Sequence, residues 1–263
     1  MNKLDLVIPH LNYPDFQVGI DTLRRNSPEG LINKIIFINQ SDVSRPRDVD
    51  IEVRCKNLGF AKAMNTGIRL SDAPMVGCLN DDVVFLNKKW WEGIEQTFDD
   101  YSTALCVNPS SVCDPDGVGG TTIRDGFEYK EDYSDEEYDR LLNPGVIDGI
   151  CMWFPIFNRE RLDQVKGVVP GKAWFDERFL HGGGDDYDLN RRGYMSGFRS
   201  LGTGKSCVWH WWHKTKHPVS GEIGPKDDSA TWLSKWELNG EMPDLYGQQG
   251  LKEVPPNIVR DVV

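Results

Sequence analysis

Residues 75–91 read MVGCLNDDVVFLNKKWW. The run from Met75 to Leu79 is apolar, stops at Asn80-Asp81-Asp82 and resumes as Val83-Val84-Phe85. A short apolar run bounded by turn residues reads as a buried strand. Two adjacent carboxylates at the end of such a strand are costly to desolvate and need a counter-charge. A divalent cation supplies one, and hard oxygen ligands on a short turn suit Mg²⁺ or Mn²⁺. The competing reading is a plain turn in which Asp81 caps the next segment and Asp82 faces water. The rest of the chain decides between them.

Upstream, Leu4 to Ile8 reads as a short strand closed by Pro9. Asp15 then caps a helix that carries Phe16, Ile20 and Leu23 on one face. Lys34 to Asn39 is a continuous β-branched and aromatic run, the pattern of a strand covered on both faces. Ile51 to Cys55 is a third strand, and Asn57 to Leu70 suits a helix opened by the Asn57-Leu58-Gly59 turn. With the strand ending at Leu79, this alternation predicts an α/β fold: a mostly parallel central sheet flanked by helices on both faces. Ligands of such sheets bind at the carboxyl ends of the strands, where Asp81 and Asp82 stand.

Downstream the order loosens. Trp90 to Phe98 reads as a helix, Ala104 to Val107 as a strand, and Ile147 to Phe157 as another strand-like stretch. Between them, residues 114–142 are rich in Gly, Asp, Glu and Tyr and read as a solvated excursion. Ser134-Asp135-Glu136-Glu137 inside it has the spacing of a capping box. Asp185 or Asp186 opens a helix to about Met195, and Ser206 to His210 is a last strand. From Thr215 onward Pro, Gly and charge dominate.

The 263 residues are 39% hydrophobic and 27% charged, the balance of a folded globular chain. No apolar run approaches the roughly 18 residues of a spanning helix, and the N-terminus has no signal-peptide pattern, so a cytoplasmic location is expected. The six cysteines are scattered without a CxxC pair, which indicates neither a disulfide framework nor a zinc site. A net charge of −11 argues against nucleic acid and anionic membrane as partners. One local basic run (Lys205, His210, His213, Lys214, Lys216, His217) is of a size to serve a diphosphate.

Three stretches carry chemistry together: NLGFAKAMNTGI from Asn57 to Ile68, Asn80-Asp81-Asp82, and FDERFLHGGGDDYDL from Phe175 to Leu189, followed by Val208-Trp209-His210. Together they resemble the family 2 glycosyltransferases, inverting enzymes of the GT-A fold, and particularly their rhamnosyltransferase-like branch. The resemblance runs from about Leu4 to Thr215. It implies a single Rossmann-like GT-A domain over residues 1–215, with residues 216–263 as a C-terminal extension packed on it. It also implies a nucleotide-sugar donor (UDP-, GDP- or dTDP-linked), a glycan or other hydroxyl-bearing acceptor, and Mn²⁺ or Mg²⁺.

The same resemblance assigns roles. Asp82, the last carboxylate of the DxD-like motif, and His210 hold the metal, while Asp81 contacts the donor ribose or adds a metal contact through water. Asp186 matches the aspartate of the family's Glu-Asp pair and is the candidate general base. An unperturbed aspartate, with a pKa of about 3.9, cannot pre-ionise an alcohol but accepts its proton late in the reaction. Asp185 stands where many members have Glu and contributes a second acid. Donor contacts fall to Pro9, Asn39, Asp42, Asn57, Gly59, Lys62, Asn65 and Arg191. Of these, Gly59 permits a tight turn, and Asn65 either ties its helix to neighbouring backbone or touches the nucleotide. Many members carry Asp-Asn-x-Ser after the second strand, with the carboxylate on the nucleobase. Here the run is Ile38-Asn39-Gln40-Ser41, so Asp42 or Asn39 must substitute.

Two other classes were weighed. A sugar-nucleotide nucleotidyltransferase needs a glycine-rich, basic phosphate loop after the first strand, and Pro9-His10-Leu11-Asn12-Tyr13-Pro14 is not one. A non-catalytic carbohydrate-binding protein would use Trp209, Trp211 and Trp212 as stacking platforms, yet has no need of Asp82, Asp186 and a metal histidine together.

Overall fold

The computed structural model describes residues 3–43, 45–112, 129–148, 153–165, 173–179 and 184–211. The chain order is β1 (Leu4–His10), α1 (Phe16–Asn26), β2 (Ile32–Asn39), β3 (Ile51–Arg54), α2 (Phe60–Leu70), β4 (Met75–Cys78), β5 (Val83–Val84), α3 (Trp90–Asp100), β6 (Ala104–Ser111), α4 (Asp135–Asp139), β7 (Val146–Asp148), β8 (Ile156–Asn158), α5 (Arg159–Val165), α6 (Asp185–Met195) and β9 (Arg199–His210).

Side chains alternate across a strand, and that alternation sorts the core into two layers. Leu4, Leu6 and Ile8 of β1 pack with Ile20 and Leu23 of α1 and with Trp90 and Ile94 of α3. Val7 of β1, with Ile36 and Ile38 of β2, packs instead with Met64 and Ile68 of α2, Leu162 of α5 and Leu189 of α6. Helices therefore cover both faces. The strand order is β3-β2-β1-β4-β8-β6-β9-β5, with β7 also on β9. The β3-β2-β1-β4 half is parallel throughout. Beyond β4 the sheet is mixed, because β8 runs antiparallel to both of its neighbours while β6 and β9 pair in parallel.

Several sequence expectations change in detail. Strand β1 runs through Pro9 to His10. Val7 bonds toward β4, since its carbonyl accepts Leu79 N at 2.9 Å, and Pro9 shares that side. The β1–β4 ladder has already ended at Val7 and Cys78, so no partner is waiting for the donor that proline lacks. Helix α1 starts directly after Asp15, whose side chain makes no capping bond. The stretch expected as one strand from Ile147 to Phe157 is two, β7 on β9 and β8 between β4 and β6. Strand β9 is longer than Ser206 to His210 because its glycines hid it. A Cβ on Gly204 would lie 2.1 Å from Asn143 Oδ1, so the strand needs that glycine where the loop after α4 crosses it.

The capping box at Ser134 is formed, with Ser134 and Glu137 bonding reciprocally at the start of α4. Of the basic run, Lys205 Nζ pairs with Asp100 Oδ2 at 2.6 Å, and His213, Lys214, Lys216 and His217 lie outside the described residues. So do Trp212 and the expected extension 216–263. Cys55, Cys78, Cys106 and Cys207 are free thiols. Among the described residues no helix is long and apolar enough to cross a membrane.

Candidate active site

The turn after β4 is held from three sides. Leu79 N bonds to Val7 O at 2.9 Å, Asn80 N to Trp153 O at 3.0 Å, and Trp211 N to Asp82 O at 3.0 Å. Two-residue β5 then pairs antiparallel with the end of β9, Val83 opposite His210. This pairing sets His210 beside Asp82, with His210 Nε2 3.1 Å from Asp82 Oδ1. The His210 ring stacks on Trp153, centroids 4.9 Å apart and planes 17° apart. The neighbouring carboxylate has its own imidazole: His10 Nδ1, at the end of β1, lies 2.8 Å from Asp81 Oδ2.

Both carboxylates are buried, Asp81 at 9% and Asp82 at 5% exposure. Burial pushes the Asp81 carboxyl above the usual carboxylate range; the His10 hydrogen bond and charge oppose that rise, and the like charge of Asp82 adds to it. The Tyr13 phenol is pushed up by burial and then by the charges of Asp15, Asp82 and Asp81, so it stays protonated beside the acid pair. Asp82 Oδ1 is sealed from solvent and accepts no hydrogen bond, although His210 Nε2 is close. An anionic oxygen in that state is unsatisfied.

Among the described residues, no three His, Cys, Asp or Glu side chains converge as a ready-made metal cage. A two-ligand site fits nevertheless. Mg²⁺-type ions are commonly held by one or two carboxylates plus substrate phosphates, and adjacent corners of an octahedron with bonds of about 2.1 Å are about 3.0 Å apart. The 3.1 Å between Asp82 Oδ1 and His210 Nε2 matches that spacing, and a carboxylate with an imidazole suits Mn²⁺ as well.

The acidic mouth of α6 opens on the same end of the sheet. Burial, then Cys106, then the charge of Asp185 push up the Cys78 thiol at the end of β4, three residues before Asp81. Helix α6 has no side-chain cap, and its first turn carries Asp185, Asp186 and Asp188 at the positive end of the helix dipole. Asp185 is buried; Asp186 is half-buried, its Oδ1 accepting Tyr187 N at 2.8 Å. Asp188 turns inward to Arg192, with Nε 2.9 Å from Oδ2 and both side chains fully buried. Arg192 Nη2 also donates to Trp174 O at 2.6 Å. Next along the chain, Asn65 of α2 grips Phe175, donating to its carbonyl at 2.7 Å and accepting from its N–H at 2.9 Å. Its amide also reaches Glu177 Oε1 at 3.1 Å. Asn65 is thus a tie between α2 and the segment leading to α6.

Of the remaining expected donor residues, Pro9 and Asn39 lie at the ends of β1 and β2, Asp42, Asn57 and Gly59 on the loops after β2 and β3, Lys62 in α2 and Arg191 in α6. Pro9 is buried in register with Ile38. Asn39 is fully buried, and its amide organises the next turn through Val43 O, Glu52 Oε1 and Ser41. Asp42 and Lys62 are exposed. Asn57 Oδ1 accepts Gly59 N at 2.9 Å, and Gly59 has φ +79°, a left-handed conformation that glycine tolerates. Gln40 stitches these loops together: its N–H donates to His10 O at 2.9 Å, and its Oε1 accepts Leu58 N at 2.7 Å. Arg191 is half-buried on α6.

The family model for glycosyl transferase family 2 matches residues 34–165, half of the chain. The chain belongs to that family. Its fold is that of the GT-A glycosyltransferases among solved structures. GalNAc-T7, solved with UDP, GalNAc and Mn²⁺, is similar at TM-score 0.57 and 15% identity, over 80% of this chain and 44% of that one. The mannosyltransferase PcManGT from Pyrobaculum calidifontis, solved with GDP-Man and Mn²⁺, gives TM-score 0.53 and 14% identity, over 82% and 58%. TarS of S. aureus, residues 1–349, gives 0.50 and 10%, over 78% and 59%. The family 2 chain thus spans about half the length of the solved chains it matches. No curated protein sequence matches it significantly.

Sequence reasoning missed three residues of this site in the family 2 chain: His10, Tyr13 and Trp153. A signal for His10 existed, since a parallel order that puts β1 beside β4 brings the residue after Pro9 next to the turn after Leu79. Trp153 was concealed in a run read as one strand.

Proposed function

We propose that this family 2 chain is a metal-dependent, inverting glycosyltransferase that moves a sugar from a nucleotide-sugar donor to an acceptor hydroxyl. The carrying observation is the buried Asp82–His210 pair at the end of β4, with a carboxylate oxygen left unsatisfied beside an imidazole. Asp82 and His210 would hold Mn²⁺ or Mg²⁺, and Asp81 would touch the donor ribose or add a contact through water. When bound, the cation neutralises charge on the departing diphosphate. The Mn²⁺ in the GalNAc-T7 and PcManGT structures, with UDP in one and GDP-Man in the other, supports this choice of cofactor and donor class.

The chain's own residues do the rest. Asp186 takes the proton of the acceptor hydroxyl as that oxygen bonds to the anomeric carbon, on the face opposite the breaking bond to phosphate. Asp185 keeps the mouth of α6 anionic. Pro9, Asn39, Asp42, Asn57, Gly59 and Lys62 would border the nucleotide, and Arg191 would reach the diphosphate. The acceptor class is a glycan or another hydroxyl-bearing molecule.

Asp186→Asn tests the assignment. Transfer is expected to fall by about 10²–10⁴-fold, with donor affinity retained. A variant that keeps its turnover, or loses donor binding along with it, rules out Asp186 as the base. A carbohydrate-binding protein on the same scaffold would show no transfer even with the unaltered chain.

A further inference from the structure

We infer that His10 is a positioning residue that fixes Asp81 in the orientation from which it meets the donor, an inference resting on the role proposed for Asp81. His10 is fully buried at the carboxyl end of β1. Its ring is clamped between Phe16, centroid at 4.5 Å, and Phe37, stacked at 5.3 Å with planes 25° apart. Its carbonyl is held by Gln40 N, so backbone and ring are both fixed. Among the described residues, the one polar contact of the ring is from Nδ1 to Asp81 Oδ2, at 2.8 Å.

The other ring nitrogen decides what the residue is for. His10 Nε2 is sealed from solvent and has no hydrogen-bond partner. In a slot walled by two phenylalanine rings, a third phenylalanine would fill the space without an unsatisfied polar atom. The imidazole therefore earns its place through Nδ1. A proton on Nε2 would be a buried donor with nothing to meet, so Nδ1 is the nitrogen that donates to Asp81. Asp81 is buried and one residue from the carboxylate proposed to hold the metal. Without that donor its carboxylate has two free rotations and a reason to leave the position it holds. Partners of this kind, one shell out from a metal–phosphate site, typically change affinity 10–100-fold when removed.

The test uses His10→Phe, His10→Asn and His10→Gln, with calorimetric titration of UDP and GDP in the presence of Mn²⁺ and thermal unfolding of each variant. An asparagine amide nitrogen falls where Nδ1 lies, whereas that of glutamine falls nearer Nε2. His10→Phe and His10→Gln are expected to weaken nucleotide binding about 10–100-fold, with His10→Asn recovering most of it. In an Asp81→Ala background, His10→Phe should have no further effect on affinity, because His10 acts only through Asp81. Equal affinities for the asparagine and glutamine variants overturn the inference, and that contrast decides even where His10→Phe does not fold. An undiminished effect of His10→Phe in the Asp81→Ala background overturns it as well. If Asp81→Ala itself leaves binding unchanged while Asp82→Ala abolishes it, the role of Asp81 fails, and the inference with it. If neither alanine variant alters binding, the site assignment as a whole fails.

Discussion

The buried pair of Asp188 and Arg192 offers a quantitative handle on how the mouth of α6 is built. Both side chains are at 0% exposure; Nε donates to Oδ2 at 2.9 Å and Nη2 to Trp174 O at 2.6 Å, while Nη1 has no hydrogen-bond partner. Removing only the acid strands a guanidinium in the core, which costs about 3–5 kcal/mol, and removing only the base strands the carboxylate at similar cost. Replacing both by apolar residues of like size removes the desolvation penalty along with the attraction. The double variant Asp188→Leu/Arg192→Met should then cost less than either single one, with the lost hydrogen bond to the Trp174 carbonyl contributing about 1–3 kcal/mol. Each single variant should be less stable than the double, with a coupling of at least about 3 kcal/mol in the cycle. Urea unfolding at fixed m-value measures it. A single variant that loses under about 1 kcal/mol, or a double that loses the sum of the singles, would refute a desolvated pair.

Two further outcomes follow from the geometry. Asn65→Ala leaves the Phe175 N–H and carbonyl unpaired and should cost about 2–4 kcal/mol in urea unfolding. The folded variant should keep its nucleotide affinity, because that amide is spent on the chain itself. Glu137 is held down at about 2 by the Lys130 side chain first and then by hydrogen bonds from Ser134. Its folded value lies below the ordinary 4.5, so its contribution is present above pH 4.5 and lost as pH falls toward about 2. The stability gap between the unaltered chain and Glu137→Gln should therefore close over that interval, read from urea midpoints at stepped pH; a gap that widens on acidification contradicts the assignment.

The parallel half of the sheet was legible because Leu6–Ile8, Ile35–Ile38 and Met75–Leu79 are apolar runs, each separated from the next by a cap or turn signal. Ile35 to Ile38 is fully buried, as a strand between two helical layers must be. The starts of α2, α3 and α6 were visible for the same reason, and so was the Ser134 capping box, since these signals are local. Legibility failed where placement depends on distant contacts. The glycines of β9 read as a loop because Asn143, which demands one of them, is some 60 residues away in sequence. The direction of β8 is set by β4 and β6, not by its own residues. At the site, residue types announced Asp82, His210 and the acids of α6, but pairing partners did not announce themselves. His10 and Asp81 are 71 positions apart and meet only because β1 and β4 are neighbours. Lys205 misled because an extended strand carries it well away from His210, on the opposite face, where it pairs with Asp100.

The most direct measurement is the thermal unfolding of the chain with UDP- and GDP-sugars, with and without Mn²⁺, set beside Asp82→Ala. A donor at about 100 times its dissociation constant adds about 2.7 kcal/mol, a rise of roughly 5–10 °C for a chain of this size. That rise should require Mn²⁺ and be absent from Asp82→Ala, which should itself fold normally. A folded chain that gives the same melting point with every sugar nucleotide, or a shift that survives loss of Asp82, would contradict a metal-held donor at the end of β4.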